Sequence, residues 1–206
     1  MMIKVGITGQ AGFVGTYLYN MLGLYTDRIE RIPFEDHYFE NELSLRNFVA
    51  HCDVIIHLAA MNRHSDSRVL YDTNIRLVKQ LISAMEVERV KPYVFFSSSI
   101  QEERDNEYGN SKREGREMLE GWARRNGASF TGLVVPNVYG PFGRPNYNSF
   151  IATFCYKLVH GENPRILVDS DVRLIYVESL CLHILQKILD KQQSPKVVVE
   201  RDEVPF

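Results

Sequence analysis

The stretch 2-MIKVGITGQAGFVG-15 decides the fold. Its first half, 2-MIKVGITG-9, is an apolar run ending in glycine and reads as a buried strand. Glycines then fall at Gly9, Gly12 and Gly15, with Gly6 inside the strand. Phe13, Val14, Leu18, Met21 and Leu22 follow at helical spacing, so 12–24 is expected to be a helix. Strand, glycine turn and helix N-terminus together make a seat for a pyrophosphate. The turn lets backbone approach the ligand, and the first N–H groups of the helix face the anion. Three glycines alone are a weak signal, and here the strand before and the helix after give them weight. Gly9, Gly12, Phe13, Val14 and Gly15 are the expected dinucleotide contacts.

Working outward, 28-RIERIPF-34 alternates like a short second strand, and 35–50 carries Leu43, Leu45, Phe48 and Val49 at roughly helical spacing. The run 53-DVIIHLAA-60 is a buried strand. Residues 66–88 hold Val69, Leu70, Leu77, Val78, Leu81, Ile82 and Met85, a long amphipathic helix. Another buried strand, 92-PYVFFSSS-99, precedes a charged helix over 107–126 with Met118, Leu119, Trp122 and Ala123 inside. Residues 129–141 read as strand then turn. Strands alternating with helices through short connections predict an α/β fold, a parallel sheet with helices on both faces. Residues 1–140 form the dinucleotide-binding domain in this reading. Residues 141–206 form a partial, short C-terminal substrate lobe, parts of which return to the sheet.

Composition narrows the function. The chain has 206 residues, 45% of them hydrophobic, and a formal charge of -2, which argues against nucleic acid as a partner. No run reaches the length of a membrane span, and no signal peptide is recognisable, so a cytoplasmic protein is expected. Cys52, Cys155 and Cys181 have no paired or metal-ligand spacing and are expected to be buried thiols in a reducing compartment. The six histidines are scattered, and no metal site is expected.

The second strand should end in the residue that reads the adenosine ribose. An acid there favours NAD and a nearby arginine favours NADP. The chain offers Glu30 and Arg31, and Arg31 points to NADPH, with NAD as the other possibility.

Tyr108 and Lys112 are four residues apart, so on a helix they share a face. An ammonium close to the phenol is expected to lower the pKa of the tyrosine and ready it for proton exchange with a carbonyl or carbinol oxygen. Ser99 ends its strand at the sheet edge where ligands bind and can hydrogen-bond the same oxygen. His57, on a buried strand, reads as a packed core histidine. Arg63 and His64 lie just past a strand end, where a substrate would sit.

These motifs together resemble the extended short-chain dehydrogenases/reductases, the NAD(P)-dependent sugar epimerase/dehydratase/reductase family with a Rossmann-type sheet. The likeness rests on 8-TGQAGFVG-15, 53-DVIIHLAA-60, Asn74, the serines ending at Ser99, 108-YGNSK-112 and 136-PNVYGP-141. It implies that Ser99, Tyr108 and Lys112 are catalytic. It implies cofactor contacts at Leu58, Ala59, Ala60, Asn74, Lys112, Pro136 and Val138. Within the family, 62-NR-63, 97-SSSIQ-101, 105-DNEYGNSK-112 and 145-PNYNSFIATFCYKL-158 look like the reductase domain of CapF- and WbjC-type capsular and O-antigen enzymes. That likeness implies NADPH-dependent C4 reduction of a UDP-linked 4-keto-6-deoxy-hexosamine for capsule or lipopolysaccharide synthesis. It makes Arg63, His64, Ser99, Asn137, Asn146, Tyr147, Asn148 and Arg173 the expected substrate contacts, with 146–148 as a lid. It also implies a homodimer through helices 66–88 and 107–126. A nucleotide-sugar C4 epimerase holding NAD, or a non-catalytic NAD(P)-binding sensor or scaffold, are the alternatives.

Some positions depart from the family pattern. Val134 and Val172 stand where arginines are usual, Arg173 sits one place along, and Glu178 replaces an aspartate. The chain stops at Phe206, short of a typical extended member, so a reduced substrate lobe is expected.

Overall fold

The computed structural model describes residues 2–147, 149–166 and 171–201. The first strand, β1 (Ile3–Thr8), runs into the glycine turn and α1 (Phe13–Leu22). β2 (Ile29–Ile32) follows. The segment 35–50 forms a 3-10 turn at Asp36–Glu40 and α2 (Glu42–Ala50), which carries all four of the helically spaced apolar residues. They divide at Asn41, whose side chain accepts from Ser44 N at 3.1 Å and caps α2. Next come β3 (Val54–His57), α3 (Ser67–Glu88), β4 (Tyr93–Ser99), α4 (Glu107–Asn126) and β5 (Phe130–Val135). The remainder is β6 (Asn137–Tyr139), α5 (Phe150–Val159), β7 (Leu174–Tyr176), α6 (Val177–Asp190) and β8 (Ser194–Val198).

Six strands form one parallel sheet in the order β2-β1-β3-β4-β5-β8, and β6 pairs with β7 beside it. This is a Rossmann-type arrangement. The strands alternate cleanly between two cores. Val5, Ile7, Val54, Ile56, Tyr93, Phe95, Leu133 and Val135 meet α1 and α6 on one face. Ile55, Val94, Phe96 and Phe130 meet α2, α3 and α4 on the other. Leu119 and Trp122 carry α4 into that second core, and both are fully buried. Burying a side chain of this size contributes about 1.5–3 kcal/mol, which offsets the roughly 1 kcal/mol that each of Gly109, Gly115 and Gly121 costs the helix.

Beyond β5 the chain does not form a separate lobe alone. α6 packs on α1, and β8 extends the sheet at β5. One expectation of burial is corrected: Cys155 is exposed on α5. Leu43 is 72% exposed and Val69 is exposed at the start of α3. All of α5 is half-buried or exposed, although its sequence is strongly apolar.

Candidate active site

The C-terminal ends of the parallel strands open onto one cavity of about 1330 Å³. That exceeds the roughly 300–1,000 Å³ of a single-ligand site, so a dinucleotide and a second molecule fit together. Its floor is the glycine turn. Gly9 has φ +71°, and a Cβ there would meet Ala59 N at 2.8 Å. A Cβ on Gly15 would stand 2.2 Å from Gly9 O, inside contact distance. The turn therefore brings bare backbone to the cavity and lets α1 start against it. No side chain caps the start of α1, and its first turn carries no acid. Uncapped N–H groups at a helix start beside a glycine cradle suit a pyrophosphate.

Thr8 holds the next wall in place. Its hydroxyl lies 2.7 Å from His57 Nδ1 and accepts from Ala59 N at 3.3 Å. Leu58, Ala59, Ala60, Arg63, Pro136, Asn137, Val138 and Tyr147 line the cavity as expected from the sequence. Asn74 does not line it. The side chain is buried, accepts from Met61 N at 2.7 Å, and donates to Met61 O and to Ser111 Oγ, each at 3.1 Å. Ser111 Oγ in turn donates to Tyr108 O at 2.8 Å. Asn74 thus ties the loop after β3 to the first turn of α4, a structural tie where a cofactor contact was expected.

Ser99, Tyr108 and Lys112 all line the same cavity. The Ser99 hydroxyl accepts from Gln101 N at 3.2 Å, which leaves its proton free to donate. Asn106 caps α4 by accepting from Gly109 N at 2.8 Å, and this fixes the turn that carries Tyr108. Lys112 Nζ donates to Ser97 O at 2.9 Å, and lies 5.2 Å from the Phe96 ring centre and 5.7 Å from that of Tyr108. Burial raises the Tyr108 phenol to about 12 and lowers Lys112 to about 8. Desolvation of the resting phenol is thus larger than the lowering expected from Lys112. With Nζ held on the Ser97 carbonyl, desolvation dominates, and the resting phenol keeps its proton at neutral pH.

Arg31 departs furthest from expectation. Its guanidinium donates to Tyr19 O at 2.9 Å and lies 4.2 Å over the Tyr19 ring, so it braces α1 and does not line the cavity. Asp36, Phe39, Glu40 and Arg76 line that end of the cavity, and the sequence reading missed them. The acidic composition of 35–42 hints at Asp36 and Glu40 alone. Among the substrate expectations, Arg63 donates to Tyr147 O at 2.6 Å and holds the 142–147 loop across the cleft mouth. Arg144 lies 5.6 Å over the Tyr147 ring and also lines the cavity. His64 is turned to its own chain, with Nδ1 3.0 Å from Asp66 N. Asn146 N donates to Thr153 Oγ1, and Arg173 O accepts from Asn137 N. Neither of these residues lines the cavity. Asn148 lies outside the described residues.

Comparison with known proteins identifies the family and the fold. The sequence profile of the NAD dependent epimerase/dehydratase family matches residues 5–199. A UDP-2-acetamido-2,6-beta-L-arabino-hexul-4-ose reductase of Pseudomonas aeruginosa is 32% identical over 204 residues, covering 96% of this chain and 52% of the relative. The capsular polysaccharide assembling protein CapF of Staphylococcus aureus superposes with a TM-score of 0.78 at 28% identity, over 96% of this chain and 52% of that one. A UDP-glucuronic acid 4-epimerase of Bacillus cereus, solved with NAD, shares the fold with a TM-score of 0.85 at 17% identity, over 98% of this chain and 79% of that one. The chain spans about half the length of the reductase and of CapF.

Proposed function

Because the chain belongs to the NAD dependent epimerase/dehydratase family, we propose that it reduces the C4 ketone of a nucleotide-linked 4-keto-6-deoxy-hexosamine, a UDP-sugar, in the synthesis of a capsule or O-antigen precursor. The observation that carries this reading is the meeting of Ser99, Tyr108 and Lys112 in the cavity that holds the glycine turn. The likeness to the Pseudomonas reductase supports reduction over epimerisation. The protonated resting state of Tyr108 makes it a competent proton donor for that step.

When bound, the nicotinamide supplies the hydride that makes a carbonyl carbon into a carbinol. Tyr108 Oη gives its proton to the carbonyl oxygen as negative charge grows there. The Ser99 hydroxyl donates to the same oxygen and stabilises that charge. Lys112, mostly charged at neutral pH with a pKa near 8, favours the tyrosinate left behind. The uncapped start of α1 and the Gly9–Gly15 cradle would hold the dinucleotide pyrophosphate. NADPH is the proposed donor, with Arg76 in place of Arg31 as the cation available to a ribose phosphate, set against the acids Asp36 and Glu40 that line the same end and would favour NAD. Arg63 and Arg144, on the loops bordering the cleft, supply the cations that Val134 and Val172 do not.

A screen of UDP- and dTDP-linked 4-keto-hexoses with NADPH and NADH, followed at the nicotinamide absorbance, tests the reading. Stoichiometric loss of reduced cofactor with one sugar supports it. Interconversion of a UDP-hexose with no net cofactor loss would establish a C4 epimerase instead. Cofactor binding without turnover of any sugar would leave a sensor or scaffold.

A further inference from the structure

The mechanism above makes no use of the Glu102 carboxylate, which is 2% exposed in the eight-residue link between Ser99 and Tyr108. Three other elements reach it. Ser98 Oγ on β4 donates at 2.6 Å, Arg116 Nε on α4 donates at 3.1 Å, and Lys196 Nζ on β8 stands 2.7 Å from the other oxygen. The Glu102 carbonyl also accepts from Arg113 at 3.3 Å. Burial would raise the carboxyl pKa, but the Lys196 ion pair and the bonds from Ser98 and Arg116 outweigh it and favour the charged form. Arg116 is itself only 7% exposed, so each charge is buried with the other.

The partners of Glu102 are neighbours of the reacting groups. Ser98 precedes Ser99, and Arg116 lies one helical turn past Lys112 on α4. The rest of the link is just as confined. Gln101 N is bonded to Ser99 Oγ, and a Cβ on Gly109 would lie 2.0 Å from Gln101 O. The link therefore presses directly on the turn that carries Tyr108, and Glu102 pins its middle.

We infer that Glu102 is a positioning residue. By joining Ser98 on β4 to Arg116 on α4, with Lys196 on β8 as its outer anchor, it sets the separation between the Ser99 hydroxyl and the Tyr108 phenol. Its effect on turnover rests on the reductase reading, whereas the clamp itself does not. A buried ion pair is weak evidence for stability alone, and removing one partner of such a pair disturbs whatever it holds.

The test compares the unchanged protein with Glu102→Gln, which keeps the shape of the side chain and removes its charge. Hydrogen–deuterium exchange is read first, with NADPH added and no sugar. The inference expects amides of 100–109 to exchange at least tenfold faster in the variant while those of β1 and β3 keep their rates. Kinetics follow. kcat should fall at least tenfold with both KM values within twofold, and the same change in a Ser99→Ala background should cost less than twofold, because the two residues act as a unit. Unchanged exchange in the link, a uniform rise across the sheet, or equal kcat losses in both backgrounds would overturn it. If the unchanged protein reduces no keto-sugar, the reductase reading fails and the exchange arm alone decides the clamp. If Glu102→Gln does not fold, Lys196→Met loses only the outer anchor and should shift the same amides in the same direction; no shift there refutes the inference.

Discussion

Acidification should destabilise this protein through His57 by an amount the structure fixes. The ring is 1% exposed, stacked on Phe96 at 5.7 Å, with Phe39 at 6.2 Å. Nδ1 is engaged with Thr8 Oγ1, and Nε2 has no hydrogen-bond partner among the described residues. A proton added to this ring has nowhere to be solvated. Burial first, and the Lys112 charge second, lower its pKa from 6.5 to about 3. Because the folded value lies below the unfolded one, the unfolded chain binds more protons under pH 6.5. The stability contribution is then intact above that value and lost as pH falls toward 3. Between pH 7 and pH 5 the two constants give a loss of about 2 kcal/mol. Urea unfolding followed by circular dichroism at pH 7, 6 and 5, for the unchanged protein and for His57→Gln, isolates this amount. The variant starts less stable, having lost the stacked ring. The gap between the two proteins should then narrow by about 2 kcal/mol on going to pH 5. Other groups that titrate in this range are common to both proteins and cancel. Parallel curves would refute the reasoning, since they would mean His57 is protonated as easily folded as unfolded.

Tyr108→Phe should lower turnover of a confirmed keto-sugar by about 10²–10⁴-fold with little change in cofactor affinity. Lys112→Met should weaken cofactor binding as well as slow turnover, and Ser99→Ala should cost least; steady-state kinetics with fluorescence titration of NADPH checks the order. Gly15→Ala should abolish cofactor binding in the same titration, because its Cβ has 2.2 Å to Gly9 O. Arg31→Ala should leave the ratio of NADPH to NADH dissociation constants unchanged, its guanidinium being committed to Tyr19, while Arg76→Ala should shift the ratio toward NADH. Sedimentation at micromolar concentration should show a dimer joined through the outer faces of α3 and α4, where Ile82 and Met118 border a groove; a monomer refutes that assembly.

What the sequence made legible was local. The glycine turn, the pair Tyr108 and Lys112, and the serine at a strand end each depend on neighbours within a few residues, and the helix bounds at 107 and 126 match the expected ones. What it hid was decided by distant partners. Residues 101-QEERD-105 look like a solvated acidic turn, and only Arg116 and Lys196 make room for Glu102 inside. Arg31 sits at the expected point on β2, yet the ring of Tyr19 captures it. Asn74 is the expected amide, bonded to backbone at Met61. α5 has the apolar spacing of a packed helix, and no residue on it is buried. β8 escaped the reading because Pro195 argues against a strand; its edge position next to β5 tolerates it.

The late return of β8 imposes an order on folding. Ser194 N bonds Thr131 Oγ1 across 63 residues, and the pairing is parallel, so α6 must cross over before the two strands can meet. A chain emerging from the ribosome completes its N-terminal elements first. By the time α4 and β5 are out, the segments carrying the glycine turn, Ser99, Tyr108 and Lys112 have all been made, while Lys196, the outer anchor of Glu102, has not. The link that carries Glu102 is therefore pinned at both ends only when β8 docks on β5, so its order is set by the latest of the sheet pairings among the described residues.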